Sequence, residues 1–183
     1  MQSILSPKKY IQTKARALPI YKCYINSEWQ SSGLASITVS RKQPSGNFVV
    51  GVYLVDLYAS GLKDTFYLFN QTLTSLNELI ESGKKEFGTT SCSYELVHNI
   101  IYEGIAYAEE LGIKPAKEFE ITKYIIEEDT EAIDQMEIEC GRDGKPCVVV
   151  YPDDSKTKLI SHLEQKVGAG NFAMVMMGNG LIE

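Results

Sequence analysis

The stretch from Asn47 to Asn70 (NFVVGVYLVDLYASGLKDTFYLFN) opens with about ten residues that are apolar on both alternating faces. Phe48, Val50, Val52 and Leu54 fall on one side of an extended backbone, and Val49, Tyr53, Val55 and Leu57 on the other. That pattern predicts a strand buried on both faces and central in a sheet. Upstream, Ile20 to Asn26 is β-branched and aromatic and predicts another strand. Ala35 to Arg41 alternates, with Ala35, Ile37 and Val39 on one face and Ser36, Thr38 and Ser40 on a wet one. Pro44-Ser45-Gly46 supplies the hairpin into the central strand. The first 60 residues therefore read as a three-stranded antiparallel meander, extended by Thr65 to Phe69.

Two helices follow. Ser75 and Glu78 fit a capping box, with Leu76, Leu79 and Ile80 inward and Gly83 as the stop. The second starts near Ser91 or Ser93, and carries a broad stripe from Leu96 to Leu111 that Gly112 and Pro115 close. Gly104 lies within that stripe, where glycine costs about 1 kcal/mol relative to alanine, so a close backbone approach is expected there. Residues 116–133 fit a helix, with the acidic run Glu127, Glu128, Asp129 and Glu131 as a solvated loop.

In the last third, Met136, Ile138 and Cys140 alternate with glutamates, and Asp143-Gly144 predicts a two-residue hairpin turn into Cys147 to Tyr151. Asp153 or Asp154 would cap a helix with Leu159, Ile160, Leu163 and Val167 inward and Gly168 at its end, before a final strand from Phe172 to Met177. The fold class is α+β: an antiparallel meander packed with helices, followed by a β-β-α-β unit. Residues 1–183 suit a single compact domain, with lobes at 19–115 and 134–177 and a basic arm at 1–18.

Composition adds two things. No apolar run approaches the roughly 18–20 residues of a membrane span, and MQSILSPKKYIQ lacks the apolar core of a secretory signal, so a cytoplasmic protein with reduced thiols is expected. The net charge of −6 is also uneven. In residues 1–50, seven basic side chains against one acidic give +6; thereafter 11 basic against 23 acidic give −12. Lys8, Lys9, Tyr10, Lys14, Arg16, Tyr21 and Trp29 form a candidate binding surface in the basic segment, either for a partner or for RNA phosphates. The negative total disfavours nucleic acid. Packing against the acidic remainder is the plainer alternative, and Trp29 equally suits covering a sheet edge.

Asp56 ends the central strand on an apolar face, and Asp64 follows shortly after. Carboxylates at strand ends hold Mg²⁺ or Mn²⁺ in phosphoryl-transfer chemistry, with Glu95 or His98 as a third ligand. The architectural alternative pairs Asp56 with Lys63 or Arg41. Glu95 and His98 have the Glu-x-x-His spacing of di-iron bundles, but the motif occurs once, so a buried imidazole fits better. His162, among polar neighbours, reads as a surface residue. Cys140 and Cys147, opposite each other across the expected hairpin at about 5.5 Å, are within disulfide reach, though core thiols suit this chain better; Cys23 and Cys92 stand alone. The glycine pairs at 168–170 and 178–180 and the Ser155-x-x-Lys158 spacing complete no phosphate-binding or acyl-transfer signature.

Val55-Asp56 with Gly61-Leu62-Lys63-Asp64, and Ala106-Tyr107-Ala108 with Leu111-Gly112-Ile113-Lys114-Pro115, resemble segments of uncharacterised bacterial proteins. Some of those are similar to SEC-C-type chains, which end in a cysteine-rich zinc tail. The resemblance spans residues 17–125 and implies a bacterial cytosolic source without an assigned activity. Gly178 to Glu183 holds no cysteine, so no zinc tail carries over. The expectation is a non-catalytic binding or assembly module that needs no cofactor, acting on a protein partner or on itself. The rivals are a metal-dependent phosphodiester or phosphate-ester hydrolase using Asp56 and Asp64, and RNA contact through the basic segment.

Overall fold

The computed structural model describes residues 5–150 and 156–176. Among the described residues, the basic segment expected as an arm carries a helix. Helix α1 (Pro7–Lys14) has Ser6 as its cap, accepting from the Lys9 amide at 3.3 Å, and Pro7 in its first turn, where the missing N–H costs nothing. A 3-10 turn (Ala15–Ala17) follows, and Ile11, Ala15 and Leu18 are buried.

Strands β1 (Ile20–Asn26), β2 (Leu34–Lys42), β3 (Phe48–Asp56) and β4 (Gly61–Gln71) form the antiparallel meander. A short helix α2 (Trp29–Ser32) joins the first two and ends at Gly33, whose φ is +67°. A fifth strand, β5 (Thr89–Cys92), pairs with β1, so the sheet runs β4-β3-β2-β1-β5. β3 is an interior strand, one in from the β4 edge, and β2 takes the middle. Helix α3 (Leu73–Phe87) covers one face and α4 (Tyr94–Glu110) the other. The two sides of β3 separate as its alternation predicts. Phe48, Val50 and Val52 pack with Leu76 and Ile80 of α3, while Val49, Tyr53, Val55 and Leu57 join the larger core beneath α4. The face of β2 expected to be wet is therefore half-covered, and Ser40 is buried.

Two helix limits differ from expectation. Thr72, not Ser75, caps α3 by accepting from the Ser75 amide at 3.1 Å, and Gly88 in the left-handed region ends it. Gly83 lies inside the helix against Thr89. Ser93 caps α4 as expected, with Glu95 in its first turn. Gly104 serves as a contact point. A Cβ there would stand 2.4 Å from Val55 Cγ1, and one on Gly61 would stand 2.6 Å from both the Gly104 carbonyl and Ala108 Cβ. The β3–β4 turn and α4 thus meet at this seam.

Residues 116–133 are a strap with only one helical turn, α5 (Phe119–Thr122), not a full helix. The strap crosses the α4 side of the sheet, and its Thr122, Ile125 and Ile126 are fully buried. Nor is residue 127 solvated loop. Arg41, 1% exposed on the apolar face of β2, donates to the carbonyls of Ile125, Leu18 and Arg16 and to the Glu127 carboxylate at 2.6 Å. Arg16 donates to the carbonyls of Ile126 and Lys123 and to Glu128. Tyr53 Oη donates to the Thr122 carbonyl at 2.9 Å.

The last third departs from the expected β-β-α-β order. Residues 134–140 form no strand. Asp143 and Gly144, both at positive φ, do make the turn, and Arg142 and Lys145 exchange hydrogen bonds across it. There the ladder stops. Beyond it, β6 (Cys147–Val150), α6 (Thr157–Val167) and β7 (Ala173–Met176) make a β-α-β unit whose strands are parallel. Leu163 and Val148 pack with Ala59 and Leu111, which joins the unit to the β3–β4 turn and the end of α4. The cap expected at Asp153 or Asp154, and Met177, lie outside the described residues.

Candidate functional site

The turn from β3 to β4 is held by Asp56. Its Oδ1 accepts from the amides of Tyr58 at 2.9 Å and Ala59 at 3.4 Å, and its Oδ2 from Ser60 at 3.2 Å. Such a carboxylate folds the backbone around itself, an Asx-type arrangement. The turn then presents carbonyls outward. Leu57 receives the Gly141 amide at 2.8 Å and Tyr58 the Cys147 amide at 2.9 Å, while the Leu57 amide donates to Gly33 at 2.8 Å. Tyr58 lays its ring on the Gly33 backbone, where a Cβ would come within 2.5 Å of the ring carbons, and its hydroxyl donates to the Ser31 carbonyl.

This packing leaves a cleft of about 660 Å³ between α2 and residues 137–143, floored by Leu57 and Tyr58. Trp29 and Gln30 line the α2 side; Glu137, Glu139, Arg142 and Asp143 line the other. The volume falls in the range of small-ligand sites, roughly 300–1,000 Å³. Among the described residues, no histidine, cysteine, serine or lysine lines it. A smaller cavity of about 280 Å³ lies on the far side of Tyr58, lined by Asp56, Ser60, Lys63 and Lys156 among others. Lys63 is the extra residue of a bulge: Leu54 pairs with Asp64 and Val55 with Leu62, and a bulge of this kind re-aims a side chain.

The residues singled out by sequence scatter. Asp56 takes neither Lys63 nor Arg41 as its hydrogen-bonding partner; its acceptors are taken up by three amides of its own turn. Asp64 accepts from the Thr65 amide at 2.9 Å. Among the described residues, no group of three His, Cys, Asp or Glu side chains is placed to hold a metal ion. His98 is fully buried between Tyr94 and Tyr102, with Nε2 3.3 Å from the Glu127 carbonyl, and Glu95 uses its carbonyl to accept from Asn99. His162 is not a free surface group: its Nε2 donates to the Leu111 carbonyl at 2.7 Å.

Within the basic segment, Lys8, Lys9 and Lys14 are exposed on α1, but Tyr10 packs edge-on to Phe69 and Arg16 turns inward to the strap. Tyr21 packs on Phe48 at the sheet. Of the candidate binding residues, only Trp29 reaches the cleft. Its other lining groups were hidden in the sequence. Glu137 and Glu139 read as the wet face of a strand, and Arg142 as a residue beside a turn.

Burial and charge distinguish the interior from this surface. Burial alone would raise the Glu127 carboxyl, but hydrogen bonds from Arg41 and Tyr94 and the guanidinium charge outweigh it and hold it below its ordinary value. Burial also pushes the Tyr102 and Tyr107 hydroxyls up to about 12. No helix among the described residues is long and apolar enough to cross a membrane. The chain matches no family model, no curated protein and no solved structure.

Proposed function

We propose that this chain is a non-catalytic binding module whose recognition site is the Trp29 cleft and whose protein partner presents a cationic side chain there. One observation carries the reading: the only tryptophan of the sequence walls a cleft of about 660 Å³, opposite three carboxylates and a single guanidinium. An indole face attracts an ammonium or guanidinium group by about 0.5–2 kcal/mol, more as the site dries. Glu137, Glu139 and Asp143 against Arg142 leave that rim negative. The hydrolase alternative has less support, because the oxygens of Asp56 are occupied by turn amides and Asp64 holds its own strand. RNA contact through residues 8–22 has less support too, since Arg16 and Tyr10 are committed to internal packing.

Because the fluorophore is unique, titration reads the site directly. A tetralysine or tetra-arginine peptide should change Trp29 emission saturably at low salt, and a tetraglutamate peptide should not. By calorimetry, Glu137→Gln with Glu139→Gln should weaken binding about tenfold. A saturable response to the anionic peptide, or none to either cationic one, overturns the reading.

A further inference from the structure

The sequence TTSC carries no strand pattern, yet β5 pairs with β1 and sets two thiols side by side. Cys23 lies directly opposite Cys92 in the antiparallel register. Residues so placed share one face of the sheet, with Cα atoms about 4.5 or 5.5 Å apart. Both spacings fall inside the roughly 4.4–6.8 Å that a disulfide spans. Both side chains pack in the core beneath α4; Cys23 is buried and Cys92 is half-buried on the outermost strand.

We propose that Cys23 and Cys92 are an oxidation site, a redox-closable pair through which edge strand β5 becomes covalently tied to β1. The oxidant is a small disulfide. The Cys92 thiol gives its proton to solvent, and its sulfur attacks one sulfur of the oxidant; that S–S bond breaks and one small thiol leaves with a proton. The Cys23 sulfur, likewise deprotonated, attacks Cys92 Sγ and expels the second small thiol. Two protein thiols lose two electrons and two protons, and one small disulfide becomes two thiols.

The other two cysteines lack this arrangement. The turn at Asp143 pairs only Arg142 with Lys145, and the amides of Gly141 and Cys147 go to the β3–β4 turn, so no ladder joins Cys140 to Cys147. The charges that reach Cys23 are Arg41 from β2, Glu95 from α4 and Glu127 from the strap. Burial dominates over them, pushing the Cys92 thiol up to about 11 and Cys23 up to about 12. Closure is therefore slow near neutrality and gains about tenfold in rate per pH unit as the Cys92 thiolate fraction grows. Cys92 also precedes Ser93, the cap of α4, so the bond would fasten the start of that helix.

The test is incubation of the full chain with oxidised glutathione at pH 8.5, acid quenching, and peptide mapping by mass spectrometry. Wild type should lose two hydrogens, with Cys23 and Cys92 in one cross-linked peptide, and its Tm should rise by roughly 10 °C. Cys23→Ser should stop at a glutathione adduct on Cys92, and Cys140→Ser should close like wild type. A persistent adduct on Cys92 in wild type, Cys23 and Cys92 both still open to alkylation, or a bond joining another pair overturns the proposal. Because the mapping is done on wild type, a variant that fails to fold does not blunt it.

Discussion

The strap of residues 116–133 and the C-terminal unit beginning at Gly141 both fold back onto the sheet, but the balance of the chemistry that fastens them differs, although Ala116 adds a main-chain bond to Leu62 in the first and His162 a side-chain bond to Leu111 in the second. Side chains hold the strap: Arg16 and Arg41 donate into its carbonyls and carboxylates, and Tyr53 into Thr122. Main-chain bonds from Gly141 and Cys147 to the β3–β4 turn hold the unit, backed by the small apolar cluster of Val148, Leu163, Ala59 and Leu111. A buried guanidinium with several acceptors tolerates no substitute, whereas an amide-to-carbonyl joint depends on backbone shape. The cleft opens where the second kind of fastening leaves polar side chains unspent. That is why the interior charges are committed and the rim charges of Glu137, Glu139 and Arg142 are available.

The largest expected break is Arg41→Met. It strips the strap's carbonyls and Glu127 of their donor at a fully buried position and should cost about 3–5 kcal/mol in urea unfolding. Gly141→Ala strikes the other region. Gly141 sits at φ +76°, and a Cβ would stand 2.7 Å from the Lys145 carbonyl and from the Tyr107 hydroxyl. We expect a loss of about 1–3 kcal/mol with the amide spectrum of the strap unchanged by NMR.

Glu127→Gln tests the charge itself. Because the folded carboxyl is held below its ordinary value, the stability it contributes is complete above about pH 4.3 and disappears as pH falls through the folded value. The wild type should therefore lose Tm more steeply than the variant below pH 4.3. The difference should be about 1 kcal/mol or less, since the Glu127 side chain is 36% exposed. The smallest effect is dynamic. Hydrogen exchange should show the amides of Ile125 and Glu127 opening less often than those of residues 137–145, by about tenfold.

How much of this was legible follows the same division. The meander, its hairpin at Pro44, the two faces of β3 and the stripes of α4 and α6 are written in local periodicity, and the structure reproduces them. So is the close approach at Gly104. The strap departs from the expected helix because its order comes from arginines 84 to 112 positions earlier in the chain, and no local window contains that information. β5 was invisible for a different reason: four polar or small residues take their conformation from the neighbouring strand. Two further signals are present in the sequence. Ser6-Pro7 is a helix start, and two apolar runs flanking an amphipathic helix suit a parallel crossover as well as a hairpin. Of the cleft, only Trp29 could be singled out beforehand, since the groups facing it are gathered by the turn that Asp56 shapes.

The long reach of Arg41 also has a kinetic consequence. Neighbouring hairpins close short loops, whereas joining residue 41 to residue 125 closes one of 84 positions, an entropic barrier met only after the nearer contacts exist. We predict that the strap locks after the folding barrier, so that φ-values at Glu127 lie near zero and its variants hasten unfolding while leaving refolding rates untouched. On that prediction, the guanidinium buried between β2 and the strap is the clasp that closes last and sets how long the native state lives.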